Sequence, residues 1–184
     1  MKYKSIGIFS VLIFFIVFSV KAQNKYQVSD GFVSFFSSAP IENIYAENKN
    51  VKSLVDLSSL EFAFMIPISG FTFKKSLMQK HFNDKYLESD KYPNAIFTGK
   101  LIPKLDMERI GVKEFMAKGE IKIHGISQKI IIPAKINFRK NNFVVESEFI
   151  LRPKDFNIKI PRILIKNIAE EVLVKVNLVY EVMP

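Results

Sequence analysis

Cysteine is absent from the 184 residues, so no disulfide supports the fold, no thiol chemistry is available and no lipidated cysteine anchors the chain. Histidine occurs only as His81 and His124. A metal site needs further His, Cys or carboxylate ligands at workable spacing, and none is apparent. Both histidines therefore read as structural, His81 on the apolar face of a helix and His124 at a strand end before a glycine. Arginine is confined to Arg109, Arg139, Arg152 and Arg162, so the basic excess is almost all lysine. A lysine-heavy, arginine-poor surface lacks the bidentate contacts that nucleic-acid readers favour, and no nucleic-acid partner is expected. There is no Gly-x-Ser-x-Gly elbow, phosphate-cradling glycine loop or dinucleotide fingerprint. Asp155, Glu170 and Glu171 lack an acid–base partner and suit turns or a solvated edge. The expected protein is not an enzyme, and it holds no metal and no tightly held cofactor.

The first residues carry an address. Met1 to Lys4 is basic, and Ile6 to Val20 is an apolar run broken only by Gly7, Ser10 and Ser19. Val20 and Ala22 are the small residues expected at −3 and −1 of a cleavage site before Gln23, which reads as a secretory signal peptide over residues 1–22. The rival reading, a membrane anchor, is disfavoured because the run is short of the roughly 20 residues a spanning helix needs. The expected mature chain, 23–184, is one domain in the periplasm or secreted. Its formal charge falls from +9 to +6 once Lys2, Lys4 and Lys21 leave with the leader. The lysines sit mostly opposite apolar positions, as on a solvated outer wall. Transient contact with an anionic membrane surface and a homodimer both stay open as partners.

Alternation of apolar and polar residues organises the rest. It is clearest from Ala117 to Phe138, where Gly119, Ile121 and Ile123, then Ile130, Ile132, Ala134, Ile136 and Phe138 face one way. Lys118, Glu120, Lys122 and His124 face the other. Gly125 interrupts, and Ser127-Gln128-Lys129 completes the expected polar turn. Similar strands are expected from Tyr26 to Ser38 with a break near Asp30, Ile44–Asn48 ending in a turn at Asn48-Lys49-Asn50, Leu60–Ile66, Ala95–Ile102, Phe143–Leu151 and Val172–Tyr180. Residues 74–87 contain no Gly, Pro or β-branched residue and predict a helix with Leu77, Met78, His81 and Phe82 on one face. Seven or eight antiparallel strands with one inserted helix form a barrel-like plan, because closure removes exposed edges.

The inward positions are aromatic and branched: Phe35, Phe62, Phe64, Phe97, Ile121, Ile123, Phe149, Val174 and Val176. A barrel of about eight strands either fills itself with side chains or leaves room for one small ligand, and the pattern alone leaves both open. A cavity so lined would select by shape and apolarity, since a sugar or nucleotide would leave its polar groups unpaired there.

Four segments in order resemble a known family: Tyr26 to Asp30 with Val33 to Phe35; Leu77 to His81 with Tyr92-Pro93 and Ala95 to Phe97; Lys118 to Lys129; and Lys154 to Lys159 around Asp155-Phe156. Together they resemble the YceI-like polyisoprenoid-binding family. The resemblance implies an all-β, lipocalin-like antiparallel barrel of eight strands with one inserted helix near its mouth, which adds Leu77, Met78 and Phe82 to the pocket lining. It also implies an exported protein whose apolar ligand is an isoprenoid lipid or the tail of an isoprenoid quinone. One departure is that Ile41 to Ser59 has no glycine, so the second strand is expected to be built differently. The alternatives are a packed barrel that recognises another envelope protein by its outer surface, and a lipid-processing enzyme using His81.

Overall fold

The structure is a computed structural model that describes residues 24–38, 43–103, 111–159 and 170–183. The sequence also predicts breaks at Pro40 and Pro161 and a charged connection from Pro103 to Lys113; both prolines, most of that connection and the expected leader lie outside the described residues.

Among the described residues ten strand segments follow in chain order: β1 (Lys25–Ser37), β2 (Ile44–Asn48), β3 (Lys52–Asp56), β4 (Glu61–Pro67), β5 (Thr72–Phe73), β6 (Asn94–Pro103), β7 (Gly111–Ile123), β8 (Ile126–Phe138), β9 (Asn142–Leu151) and β10 (Val172–Val182). Every pairing is antiparallel, and β1 meets β10 to close the sheet. On its other edge β1 pairs first with β3 and then with β2, while β4 and β5 pair with β3 and β2 in turn. β2 with β3, and β4 with β5, are thus two interrupted staves, and the barrel has eight. The alternation dictates this closure: each stave has one apolar face, and only a closed sheet buries all eight against one another.

The two interruptions lie side by side. Asn48 is fully buried, donates from Nδ2 to the Pro67 carbonyl at 2.7 Å, and accepts the Asn50 N–H at 2.8 Å. The expected turn at Asn48-Lys49-Asn50 is therefore a jog, after which the same stave continues to Asp56. A polar residue at the joint satisfies backbone groups that the broken ladder leaves over. The stave is built without glycine, as the sequence suggested, and its neighbour supplies one: a Cβ on Gly70 would lie 2.9 Å from the Asn48 amide.

The expected break near Asp30 is a bulge, with the β1–β10 register shifting between Val28 and Asp30. The β7–β8 hairpin extends over 13 facing pairs, and its turn is two residues long. His124 (φ 51°) and Gly125 (φ 77°) both adopt the left-handed conformation of a tight hairpin turn. The polar turn expected at Ser127-Gln128-Lys129 is thereby corrected, because those residues already belong to β8.

The helix expected over 74–87 is α1 (Ser76–His81), which widens into a π-helical turn from Phe82 to Tyr86. It sits at the end of the barrel where β1 finishes and β10 begins; this end is the mouth. At the opposite end, the floor, Phe143 packs on Tyr26 (ring centroids 4.9 Å), Phe138 (5.6 Å) and Tyr180 (4.8 Å, stacked). Phe115 and Phe143 are each 1 % exposed.

Candidate functional site

Above this aromatic floor the barrel is hollow. A cavity of about 460 Å³ runs up to α1, within the range of roughly 300–1,000 Å³ usual for ligand pockets. Val172 to Tyr180 line it along β10. That is roughly 27 Å of strand, or about 20 Å along the barrel axis at a tilt of ~40°. The solidly packed barrel describes only the floor.

Its wall is almost entirely hydrocarbon. Phe35 comes from β1, Phe62 and Phe64 from β4, and Phe97 from β6. Ile121 and Ile123 come from β7, Phe149 from β9, and Val174 and Val176 from β10. Each stands on the inward side of its alternating strand, where the period-2 pattern places it. Gly99 and Gly119 face each other across β6 and β7 on the same inward side. A Cβ on either would sit within 2.2 Å of a backbone carbonyl of the neighbouring strand, so only glycine permits this close approach, and the wall there carries no side chain.

At the mouth, Met78 and Phe82 turn inward as expected, joined by His81. Phe82 completes an aromatic group with Phe35 (5.5 Å), Phe71 (5.6 Å) and Phe73 (5.0 Å). Leu77 does not join them. It is 62 % exposed, because a six-residue helix lying over the opening has only one face toward the lumen. Leu77 and Met78 are adjacent and diverge by about 100° around the helix, so only one can point in. Phe71, Phe73 and Leu87 were missed: they lie in short, irregular stretches where no period shows.

The serines of the wall and the buried Tyr180 are already engaged. Tyr180 donates to Ser53 Oγ at 2.6 Å, and Ser53 donates in turn to the Ala63 carbonyl at 3.0 Å. Ser147 donates to the Pro133 carbonyl at 2.6 Å, and Ser37 is also partnered. Burial pushes the Tyr180 hydroxyl up to about 12, against the opposing influence of its Ser53 bond. A tyrosine in the unfolded chain ionises near 10. This group's stabilising contribution is therefore fully present below pH 10 and is lost as the pH rises from there through 12. Urea midpoints are expected to fall over that window, and less steeply in Tyr180→Phe. Tyr45 and Tyr86, also raised chiefly by burial, leave a residual slope of the same sign.

His124 lies outside the cavity and ties three mouth segments together. Its Nδ1 is 3.1 Å from the Phe156 carbonyl, its Nε2 is 2.7 Å from Glu88 Oε2, and its ring packs on Tyr92 at 4.6 Å. The structural role expected for it is this clasp. His81 shows no side-chain hydrogen bond among the described residues, where no group of three or more His, Asp or Glu is placed to hold a metal. What the arrangement can do chemically is remove hydrocarbon from water.

The profile of the YceI-like domain family matches residues 16–180. No curated protein matches the chain. Among solved structures the fold is shared with a polyisoprenoid binding domain from Saccharophagus degradans implicated in plant cell wall breakdown. The TM-score is 0.72 at 15% identity, over 86% of this chain and 98% of that one. Burkholderia cenocepacia BcnA gives 0.70 at 15% identity over 81% and 95%, respectively. The Campylobacter jejuni YCEI protein gives 0.57 at 14% identity over 100% and 92%. At these identities the likeness is one of fold.

Proposed function

The chain belongs to the YceI-like family, and from that premise we propose that it is an exported carrier whose barrel holds a long apolar isoprenoid chain, as a polyprenyl lipid or a quinone tail. The observation that carries the reading is the lumen: about 460 Å³, elongated, hydrocarbon-lined, and with its serines already hydrogen-bonded. Every ~100 Å² of hydrocarbon taken out of water contributes about 2.5 kcal/mol before the costs of association. Affinity then grows with the length of chain enclosed, and the aromatic floor sets how much fits.

Orientation follows from the few ionisable groups in the wall. Tyr180 is committed to Ser53 deep in the barrel, whereas His81 and Tyr86 stand at the mouth. The tail points to the floor, and a polar end stays by the helix. Binding, not turnover, is the activity, carried out in the periplasm or outside the cell with transient contact at a membrane surface.

Titration with a polyprenol, followed by tyrosine emission or calorimetry, tests the reading. Saturable one-to-one binding that strengthens with chain length is expected. Failure to bind any polyprenol, fatty acid or quinone overturns it.

A further inference from the structure

β8 and β9 are joined along only part of their length. Their ladder holds four facing pairs, from Phe138–Phe143 to Lys135–Glu146. On their other edges β8 makes 13 pairs with β7, and β9 makes ten with β10. The cause is readable in β8. At the β8–β9 turn the Arg139 N–H donates to the Asn142 carbonyl, and alternation then directs the backbone groups of Asn137, Lys135 and Pro133 toward β9. Proline has no N–H, so the ladder loses its donor at Pro133. The Pro133 carbonyl takes the Ser147 hydroxyl instead, and nearer the mouth Gln128 Nε2 reaches the Asp155 carbonyl at 3.0 Å. Two side-chain straps stand where a backbone ladder would be.

The two lips of this seam are greasy on the outside. Ile131 is 55 % and Ile150 49 % exposed, on strands whose other outward positions include Lys129, Lys135, Glu146 and Glu148. On the inside the wall is thin at this level, with Ala134 and Ser147. A shallow outer hollow lies against the seam, and its lining shares Leu151 and Phe156 with the lumen. Those two residues border both spaces.

We propose that the β8–β9 seam is a lateral portal to the lumen, spreading between Pro133 and the mouth to admit an apolar chain broadside, with Ile131 and Ile150 as its first contacts. This rests on the carrier reading of the lumen. A chain threading end-on under α1 must shed its apolar surroundings before it reaches Phe35 and Phe82. Through the seam each carbon passes from one apolar surface to the next, and opening breaks the Ser147 and Gln128 straps and, where it reaches the mouth, the His124–Phe156 contact, rather than a ladder.

The cysteine-free chain makes the test clean. Ile131→Cys/Ile150→Cys, joined by a short thiol-reactive linker with a cleavable centre, pins the seam. Glu148→Cys/Lys175→Cys, joined in the same way, pins the fully laddered β9–β10 boundary as a control. Uptake of a dansylated farnesyl chain is followed by stopped flow, and each variant before linking is its own reference for folding. Linking the seam is expected to slow uptake by about tenfold or more, to recover on cleavage, and to leave the equilibrium affinity unchanged. The control link is expected to leave the rate alone. An unchanged rate with the seam pinned, or equal slowing by both links, overturns the portal. Absence of binding in the parent chain overturns the carrier reading itself, a different failure.

Discussion

Ala117→Phe is expected to weaken polyprenol binding by at least about tenfold while leaving the barrel as stable as the parent or more so. Ala117 is buried on the inward face of β7, one rung above Phe115, with Leu101 and Ile132 as its cross-strand neighbours. Leu101, Ala117 and Ile132 all line the cavity, and along β7 the lining starts at Ala117. A ring added there occupies space a ligand needs, and it meets a void rather than a close-packed core. The usual overpacking penalty of about 1–3 kcal/mol is thus largely avoided. Loss of tenfold in affinity corresponds to about 1.4 kcal/mol. A titration paired with urea unfolding checks both halves. Ala63→Phe, on the exposed face of β4, is the control that should change neither. Undiminished binding by a folded Ala117→Phe would place the ligand elsewhere.

Phe143→Ala attacks the floor, and its expected cost is the largest of any single side chain here, about 3–5 kcal/mol. Phe143 is 1 % exposed and touches three other rings: Tyr26, Phe138 and Tyr180. Its removal leaves a hole that rigid staves cannot collapse into, and it strips the stacked partner from Tyr180. The hole also continues the lumen downward. In the fraction that stays folded, the chain-length optimum for bound polyprenols should move to longer chains. Denaturant midpoints read the first effect and a chain-length series reads the second. A loss under about 1 kcal/mol would mean that the floor is not the packed foundation described.

The barrel itself was legible because every stave has one buried face, and a period of two survives wherever the partner faces are all apolar. Phe35, Phe62, Phe64, Phe97, Phe149 and the other strand residues in the cavity wall each owe their place to that period. What the period cannot supply is height. Phe138 shares an inward face by its alternation, and Tyr180 follows Val174 and Val176 at the same period, but nothing local says which inward residues meet at one level, since register between distant strands fixes that. The floor of Tyr26, Phe115, Phe138, Phe143 and Tyr180 therefore went unseen.

The errors share a cause of a different kind. Ser127-Gln128-Lys129 looks like a turn by composition, yet a two-residue hairpin needs two left-handed positions, and His124-Gly125 provides them. Asn48 looks like a turn residue because it is polar. It is buried instead, since the carbonyl left over at the break after β4 needs a donor. Leu77 and Met78 are equally apolar, and only the seating of the helix over the opening distinguishes them. The gap between β8 and β9 was written in the chain as Pro133, whose meaning depends on which edge of β8 its missing N–H would face.

The most direct measurement is made on protein isolated from its own cells. Native mass spectrometry before and after organic extraction should show a mass excess that vanishes with the solvent. The extract should contain a branched hydrocarbon chain in amounts close to one per protein. Preparations repeatedly free of lipid, which also take up no added polyprenol, would contradict the central claim that this lumen exists to enclose such a chain.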